Sequence, residues 1–353
     1  MKAIQLSRFG GPEVLEVVDL PTPVPQAGEV LIRVHAAGIN FFEVLMRADR
    51  YAVTPQLPMI PGVEAAGIVE SVGHGVDAAL LGIRVAAPLF MSSRPHGGYA
   101  EHVTMSADLA VPLPDALSFE NATALMVQGL TALHLLRQSL PDGKAVLVPA
   151  ASGGVGSLLV QLARLKGARQ VIAATGGKAK LDLALSLGAD AAVDYTKPDW
   201  PVRVRDVTDG EGADIIYDTV GGAMTAASLQ ALAPGGELVF AALGRYALAA
   251  SDLETMIGRN QSLRGFALLP LLSPDVLRAG LSELFQLAAS GRLRVAIGGR
   301  FLLDQAGEPP AGRAPLDREG CAGALGSHSE DTARQSGLDL YIDGPAIWFR
   351  PLP

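Results

Sequence analysis

Cysteine is almost absent from this chain, which has 353 residues and a single cysteine, Cys321. One cysteine cannot form a disulfide bond within the chain, and it cannot supply the thiolates of a structural zinc cluster. Long apolar runs are absent too, since no stretch approaches the roughly 18 residues that a membrane-spanning helix requires. The N-terminus shows no apolar core behind Lys2 that would resemble a signal peptide. We therefore expect a cytoplasmic protein with no membrane partner.

Basic residues are outnumbered by acidic ones, 28 to 36, which gives a formal net charge of -8. A chain with this charge has no overall attraction to nucleic acid or to anionic membranes, so neither is expected as a partner. The 6 histidines and the one cysteine lack the close spacing that is typical of a zinc site. The sequence therefore predicts a protein without a bound metal.

Two patterns divide the chain, which is too long for one hydrophobic core because such cores stop growing near roughly 250 to 300 residues. Up to about Pro114, short segments rich in β-branched residues alternate with Gly and Pro, which predicts a mostly antiparallel β domain. Ser118 is then predicted to cap a helix, and apolar residues recur at helical spacing from Asn121 to Gln138. The segments that follow alternate between strand and helix patterns, which indicates a parallel sheet covered on both faces. The predicted strands of that sheet are KAVLVPA, QVIAAT, AAVDY, ADIIYDTV and ELVFAALG, with helices at 154–166, 178–187 and MTAASLQAL. After about Leu263 follow another apolar strand, RGFALLP, a helix at 274–290 and a strand, RVAIGGRF.

The segment Ala151-Ser152-Gly153-Gly154-Val155-Gly156 follows the first of these strands directly and opens a predicted helix. In this context a glycine-rich turn is typical of a dinucleotide fingerprint, although glycine turns also join strands to helices for structural reasons alone. Gly153 would let the backbone approach a pyrophosphate, and Gly156 would let the helix pack closely on the strand. The helix N-terminus would add N–H groups and partial positive charge. We therefore favour a phosphate-binding loop.

The end of the next predicted strand determines which dinucleotide fits, because an Asp or Glu there would accept hydrogen bonds from a ribose 2′-hydroxyl. This chain has Thr175, Gly176 and Gly177 at that position, with no carboxylate before Asp182. Lys178 is instead placed to meet the negative charge of a 2′-phosphate. As a merely solvated lysine at a helix N-terminus, it would be mildly disfavoured by the helix dipole. The sequence thus favours NADPH over NADH.

In combination, several stretches resemble the medium-chain dehydrogenase/reductase superfamily and, within it, the zinc-independent quinone oxidoreductases. The resemblance runs from Met1 to about Gln305. It implies an α/β protein in which a GroES-like, mostly antiparallel β catalytic domain (1–122 and 267–353, with 305–353 atypical) is interrupted by a Rossmann domain with a doubly wound parallel sheet (123–266). It also implies an active site in the cleft between the domains, and a homodimer. The matching stretches are FGGPEVLEVVDLPTPVPQAGEVLIRVHAAGIN, PMIPGVEAAGIVESVGHGV, GGYAEHV, LSFENATALMVQGLTALHLL, AASGGVGSLLVQLARLKGA, LGADAAVDY and DTVGG.

Zinc-dependent members of this superfamily have a catalytic Cys just after a Gly-Ile pair and a His in a Gly-His-Glu motif. Here Gly38-Ile39 is followed by Asn40, and Val63 stands where the histidine belongs. The resemblance therefore implies metal-free hydride transfer from NADPH to a quinone or to the C=C bond of an α,β-unsaturated carbonyl compound. A reductase of enoyl thioesters and a nucleotide-binding protein without catalysis, like the related lens crystallins, stay open as alternatives.

The same resemblance assigns roles to individual residues. It implies that Asn40 and Tyr51 lie at the catalytic centre. A phenol such as that of Tyr51 could donate a proton or hydrogen bond to a developing enolate or quinol oxygen, although a tyrosine in a proline-rich loop is equally often amphipathic cover. The residues implied to contact NADPH are Asn40, Gln128, Thr131, Ser152, Gly153, Gly154, Val155, Gly156, Thr175, Gly176, Lys178, Tyr195, Val220, Gly221, Leu243, Gly244, Phe266 and Leu268.

Beyond about Gln305 the sequence departs from the family, which normally continues with an amphipathic helix and ends on an apolar strand. Glu308-Pro309-Pro310 would break that helix, and Pro, Gly and charged residues are scattered without either period as far as Leu340. We expect irregular or disordered chain in place of both elements, and a reading-frame change near Gly307 as the hypothesis for its origin. Losing both elements would leave apolar surface uncovered.

Overall fold

Two sheets of opposite character organise the chain in a computed structural model, which describes residues 1–306 and the backbone of residues 346–350. One sheet has seven strands and is largely antiparallel, and the other has six parallel strands. The predicted fold class is thereby confirmed. The division at residues 122 and 266 stays a prediction. No helix in the described part of the chain is long and apolar enough to cross a membrane.

The antiparallel sheet is built around the strand β3, which is long and mostly buried. Its neighbours follow the order β14-β15-β3-β4-β5-β7, and β6 pairs with the first half of β3. β1 and β2 form a separate two-stranded sheet beside it. The short helix α1 (Phe41–Arg47) follows β3 directly, so the end of β3 delivers Asn40 to the N-terminus of that helix. The strands are β1 (Lys2–Leu6), β2 (Leu15–Asp19), β3 (Glu29–Ile39), β4 (Ala65–Val72), β5 (Arg84–Ala87), β6 (His102–Ser106), β7 (Val111–Pro112), β14 (Ile297–Leu302) and β15 (Ala346–Arg350).

The parallel sheet has the strand order β10-β9-β8-β11-β12-β13. The order reverses between β8 and β11, where a crevice opens at the carboxyl ends of the strands. Its central strand β8 is buried at every position, as a strand covered by helices on both faces must be. The strands are β8 (Ala145–Pro149), β9 (Gln170–Thr175), β10 (Ala191–Asp194), β11 (Ala213–Asp218), β12 (Leu232–Phe240) and β13 (Ser262–Gly265), and the helices are α4 (Gly154–Leu165), α5 (Lys178–Ser186), α6 (Trp200–Asp206), α7 (Ala223–Ala231) and α8 (Ala250–Gly258).

Three further helices, α2 (Phe119–Leu125), α3 (Val127–Gln138) and α9 (Pro274–Ala289), lie at the junction of the two sheets. The predicted cap is confirmed, because the Ser118 side chain accepts a hydrogen bond from the Asn121 N–H. The helical pattern from Asn121 to Gln138 is divided into two helices at Met126, which has φ -71° and ψ -81°. The largest apolar cluster crosses the junction, with Ala66 and Ala86 of the antiparallel sheet in the same cluster as α3 and α9. Apolar packing therefore extends from one unit into the other along this line.

The end of the chain differs from the sequence-based expectation. Residues 346–350, expected to be irregular, form the strand β15, which runs parallel to β14 and antiparallel to β3. The prediction that the closing strand is missing is wrong, because an Ala-Ile-Trp-Phe segment has the strand propensity that the nearby prolines concealed. The other residues of the atypical segment, including Cys321 and the broken helix at Glu308, lie outside the described part.

Candidate functional site

The loops that follow the strands of the parallel sheet gather the predicted cofactor residues at one edge. Residues 150–154 follow β8, residues 176–178 follow β9, Tyr195 follows β10, and residues 219–222 follow β11. Residues 241–246 follow β12 and residues 266–268 follow β13. Because the strands are parallel and adjacent, these loops surround the point where the strand order reverses. The sheet thus places them where dinucleotides bind in folds of this type.

The glycine loop has the close packing that the sequence predicted for Gly156. A Cβ atom on that residue would overlap with the carbonyl oxygen of Ala150 and approach the Ala151 Cα atom to 2.8 Å. Ala150 itself has φ 49°, a left-handed conformation that costs a residue with a side chain free energy, so the turn after β8 is strained. The buried Ser152 hydroxyl lies 2.9 Å from the Thr175 hydroxyl, which ties the loop to the end of β9. The loop is therefore packed closely on β8 and linked to the end of β9.

Lys178 begins α5 and extends into solvent, with 88% of its side chain exposed and its ammonium group 3.1 Å from Asp182. Thr175 pairs with Asp194 across β9 and β10, and the Tyr195 N–H donates to the Thr175 carbonyl oxygen. Lys178 and Tyr195 therefore follow neighbouring strands on the same side of the crevice. Gly177, which precedes α5, has φ 82° and so needs to be glycine.

Asn40 is buried and held by two carboxylates. Its side-chain amide nitrogen donates to Glu43 Oε2 at 3.2 Å and to Glu64 Oε1 at 2.9 Å. Its backbone N–H also donates to Glu43 Oε2, as expected for a helix N-cap with a glutamate three residues later. Glu64 Oε2 accepts from the Val127 N–H at 2.8 Å, at the start of α3. Asn40 is thus linked through Glu64 to the helix that carries Gln128.

The two glutamates are buried side by side. Glu43 Oε1 accepts hydrogen bonds from the backbone N–H groups of Gly62 and Val63, and the Tyr99 hydroxyl lies 3.4 Å from Glu43 Oε2. Burial raises the pKa of Glu43 to about 7 and that of Glu64 to about 8, against the lowering effect of these donors. The charge of Glu43 raises the pKa of Glu64 further. Burial likewise raises the pKa of Tyr99 well above its usual value.

Gln128 lies against the first residue of α4. A Cβ atom on Gly154 would overlap with the Gln128 side-chain oxygen, so only glycine allows this approach. That oxygen is buried and has no hydrogen-bond partner within the described residues. An unpartnered buried acceptor is costly and is expected where a ligand completes the site. Gln128 therefore fits a bound cofactor with a donor at this position.

Tyr51 lies where the two units face each other across the cleft. Its ring is 5.5 Å from the ring of Phe42, and a Cβ atom on Gly244, in the loop after β12, would lie 3.7 Å from Ala52 Cβ. Burial raises the pKa of the Tyr51 phenol, and the neighbouring Tyr246 raises it further. The Tyr51 phenol is therefore protonated at neutral pH and able to donate.

The remaining predicted residues occupy turns of the same edge. Asp218, at the end of β11, accepts from the Val220 and Gly221 N–H groups and from the Thr225 hydroxyl, so it builds the turn that contains Val220 and Gly221. Leu243, Gly244, Phe266 and Leu268 follow β12 and β13, and Thr131 lies half-buried within α3. The assignment of all these side chains to a cofactor stays a prediction.

Sequence reasoning missed Glu43, Glu64, Tyr99 and Asp218. Two signals were present in the sequence. Glu43 stands three residues after Asn40, which is the spacing of a capping box, and Glu64 follows Gly62-Val63, where the zinc-dependent relatives have Gly-His before a Glu. Neither signal shows that both carboxylates converge on Asn40, because that depends on the register of β3 and β4. Ala65 pairs with Ala37 in this register, which brings the start of β4 beside the end of β3.

The side chains at the two positions compared with zinc ligands do not fit a metal. Asn40 turns its amide hydrogens toward carboxylates, and Val63 is buried and apolar. Within residues 1–306, no group of three or more His, Cys, Asp or Glu residues has the arrangement that a metal ion needs. The residues present at these two positions therefore do not fit a zinc ion.

A dinucleotide crevice beside a GroES-like sheet defines a two-domain, nucleotide-dependent oxidoreductase fold. Residues 26–115 match the family model described as alcohol dehydrogenase GroES-like domain, and residues 154–286 match the one described as zinc-binding dehydrogenase. The chain belongs to the quinone oxidoreductase family of the medium-chain dehydrogenase/reductase superfamily, as the sequence predicted.

Curated relatives and solved structures agree on this family. The chain is 36% identical to a quinone oxidoreductase of Pseudomonas aeruginosa over 86% of this chain and 93% of the relative. It is 33% identical to quinone oxidoreductase 1 of Escherichia coli over 83% of this chain and 89% of the relative. A structure of Escherichia coli quinone oxidoreductase complexed with NADPH superposes with a TM-score of 0.80 at 28% identity, covering 99% of this chain and 100% of that chain.

Proposed function

We propose that this protein is an NADPH-dependent oxidoreductase that transfers a hydride to a quinone and needs no zinc. The choice of NADPH as the cofactor rests on the end of β9, where Thr175, Gly176 and Gly177 supply no carboxylate and Lys178 is exposed. Similar structures from Escherichia coli and from a mycobacterium are NADPH complexes. The curated relatives, named as quinone oxidoreductases, support the acceptor.

Different residues of the crevice would hold different parts of the cofactor. The N-terminus of α4 and the loop 151–156 would meet the pyrophosphate, and Lys178 with Tyr195 would meet the 2′-phosphate. Gln128 and Asn40 would orient the nicotinamide end of the cofactor. The buried Gln128 side-chain oxygen, which has no hydrogen-bond partner within the described residues, supports this role for Gln128. When bound, NADPH supplies the hydride. The protein supplies the position of the acceptor and excludes water around it.

Tyr51 is proposed as the hydrogen-bond donor to the acceptor. A quinone that gains a hydride also gains a proton and becomes a hydroquinone, and the developing oxygen charge is stabilised by a donor such as a phenol. Aromatic rings line this part of the cleft, because Phe42 is near Tyr51 and Tyr246 packs 5.8 Å from Phe240. A flat quinone ring fits between such rings better than an aliphatic enoyl thioester does.

The purified protein tests the proposal through NADPH and NADH oxidation with 1,4-benzoquinone and with a 2-enoyl thioester. We expect NADPH oxidation that depends on the quinone, and a kcat at least about tenfold lower in Tyr51→Phe if the phenol donates. Faster turnover of the enoyl thioester would favour the alternative reductase. Tight NADPH binding without turnover of any acceptor would instead indicate a nucleotide-binding protein without catalysis.

We further propose that the protein is a homodimer. β13 is the outermost strand of the parallel sheet, and all four of its residues are exposed. This edge has no partner strand among the described residues, and such an edge is a template for the same strand of a second copy. Exposed apolar side chains beside it, Leu253 and Ile257 of α8 and Leu263 of β13, support an interface there.

A further inference from the structure

Two buried carboxylates contact one amide group in the catalytic domain, and the reaction as proposed uses neither carboxylate. The residues are Glu43 and Glu64, and the amide is that of Asn40. Burying two neighbouring acids is unfavourable compared with apolar residues of similar size, so the pair is poorly explained by stability alone. A Cβ atom on Gly38 would overlap with Glu64 Oε1, so the strand β3 is shaped to admit this carboxylate.

The carboxylates determine which way the Asn40 amide points. An amide can be turned by 180° to exchange its oxygen and nitrogen, and hydrogen bonds decide between the two orientations. Turned that way, the Asn40 oxygen would face Glu64 Oε1 at 2.9 Å and Glu43 Oε2 at 3.2 Å, and these oxygens are acceptors only when the two acids are ionised. With the nitrogen there, each amide hydrogen meets one carboxylate. The side-chain oxygen is then left on the opposite side as an acceptor.

We propose that Glu43 and Glu64 are positioning residues that fix the Asn40 side chain with its oxygen turned away from them, as a hydrogen-bond acceptor for the bound cofactor or substrate. The inference rests on the proposed function, because the bound cofactor or substrate would be the partner of the Asn40 side-chain oxygen. Glu43 is itself fixed by the Gly62 and Val63 N–H groups. Glu64 is fixed by the Val127 N–H, which also sets Asn40 relative to the helix of Gln128.

Substitution of Glu64 by glutamine tests this role, because the glutamine cannot keep the contacts with both Asn40 and Val127. A glutamine has one acceptor oxygen, so it cannot accept from both Asn40 and Val127 and must turn an NH2 group toward one of them. The carboxylate of Glu43 still opposes reversal of the Asn40 amide, so Asn40 loses its single orientation. In an assay above pH 8, where both acids are ionised, we expect Glu64→Gln to lower kcat/KM for 1,4-benzoquinone with NADPH by about tenfold, the loss typical of a hydrogen bond to a charged group.

A double-mutant cycle with Asn40→Ala distinguishes positioning from general damage. If Glu64 acts through Asn40, then Glu64→Gln lowers kcat/KM less than about twofold in the Asn40→Ala background. An equal loss in both backgrounds would overturn the inference, since a merely structural role of Glu64 does not depend on Asn40. Glu70→Gln, at an exposed position of the strand β4 that follows Glu64, is the matched control and should retain wild-type activity.

Two measurements keep the outcome clear. Thermal unfolding of each variant shows that it folds, and if Glu64→Gln does not fold, Glu64→Asp, which keeps the charge but withdraws it from Asn40, replaces it in the cycle. If wild-type protein does not reduce quinones, the proposed function fails on that result alone. The cycle is then read on the Kd of NADPH, where additive effects of Asn40→Ala and Glu64→Gln overturn the positioning role.

Discussion

Lys178 shows how a single side chain can set the choice of cofactor. Its ammonium group pairs with Asp182 at the solvent surface, a contact worth little because both side chains are largely exposed. A 2′-phosphate would offer it a stronger charge-assisted partner without rearrangement of the strand end. Gly177 has no side chain at this point, and its φ of 82° is a conformation that favours glycine. The discrimination between NADPH and NADH is therefore expected to depend on Lys178 far more than on the glycine loop.

Lys178→Ala tests this dependence. We expect the Kd of NADPH to rise by about tenfold or more, because a hydrogen bond between charged groups is lost, while the Kd of NADH changes less than about twofold. Fluorescence titration with both nucleotides measures the two constants. Lys144→Ala is a matched control, since Lys144 is exposed and precedes β8 at the opposite end of the sheet. An equal loss of affinity for both nucleotides would contradict the assigned role.

The buried pair Glu43 and Glu64 gives the stability of the protein a pH dependence. Each pKa is raised above its value in the unfolded chain, to about 7 and about 8, so the native state binds more protons than the unfolded state between roughly pH 4.5 and 8. The stabilising effect of the protonated acids is complete below that window and is lost as the pH rises through it.

We therefore expect the thermal unfolding midpoint to fall from pH 5.5 to pH 8.5 more steeply in wild-type protein than in Glu43→Gln/Glu64→Gln. The neutral amides of the variant do not titrate, so the difference between the two slopes isolates the buried acids from all other groups. Differential scanning calorimetry across the range measures both slopes. Parallel curves would show that these acids titrate near their ordinary pKa.

At the residue scale, the sequence was sufficient to predict features that depend on residues close to one another along the chain. The Ser118 cap and the close packing of Gly156 follow from local patterns, and the structure confirms both. The contacts of Asn40 with Glu64 could not be predicted, because 24 residues separate the two and a strand register joins them. A one-residue change of that register would turn Glu64 to the other face of the sheet.

At the scale of elements, β13 combines two properties that native edge strands usually avoid. It is unprotected in the described part of the chain, and its sequence Ser-Leu-Arg-Gly carries a single charge, Arg264, which Glu237 neutralises. In a monomer this edge would favour uncontrolled association. Pairing with a second copy would satisfy its backbone groups and bury Leu263, of which 42% is exposed.

Leu263→Glu is expected to shift the protein from dimer to monomer, because two copies of the new carboxylate would face each other across a symmetric interface. Sedimentation velocity at several concentrations measures the change. Val202→Glu places the same charge on α6, where 57% of Val202 is exposed, and should leave the dimer intact. A monomeric wild type, or a dimer that tolerates Leu263→Glu, would exclude this edge as the interface.

The helices and strands were predicted where the hydrophobic periodicity and the positions of Gly and Pro indicate the same element. The strand and helix alternation from β8 to β12 follows from them, as does the long helix α9. The interruption at Met126 was not visible, because apolar residues continue through it and no Gly or Pro marks it. Tertiary packing against α9 and the Val127 contact with Glu64 decide that break.

At the scale of the whole molecule, the antiparallel sheet is assembled from distant parts of the chain. β15 lies between β14 and β3, so it is interior to the sheet. The composition after Gln305 concealed this strand, since the scattered Pro and Gly suggested irregular chain throughout. Its pairing partners, Ala37 to Ile39 and Ile297 to Leu302, are fixed by contacts that no local pattern encodes.

Removal of residues 346–353 is therefore expected to expose the edges of β3 and β14 and to lower both the soluble yield and the unfolding midpoint. Removal of residues 351–353 alone is the control, because it leaves β15 in place. Expression and thermal unfolding of the two truncated chains measure the effect. Equal behaviour of the two would show that β15 contributes nothing to stability.

The position of β15 also has a consequence for how the protein is made. A ribosome releases residues 145–265, which form the whole parallel sheet, well before it adds residues 346–350. Domains generally fold as they emerge, so the nucleotide-binding half can reach its native state while the edges of β3 and β14 that β15 covers still lack their partner. During that interval a nascent chain exposes a gap one strand wide. Chaperones that shield unpaired strands would act on this protein at that stage of its synthesis.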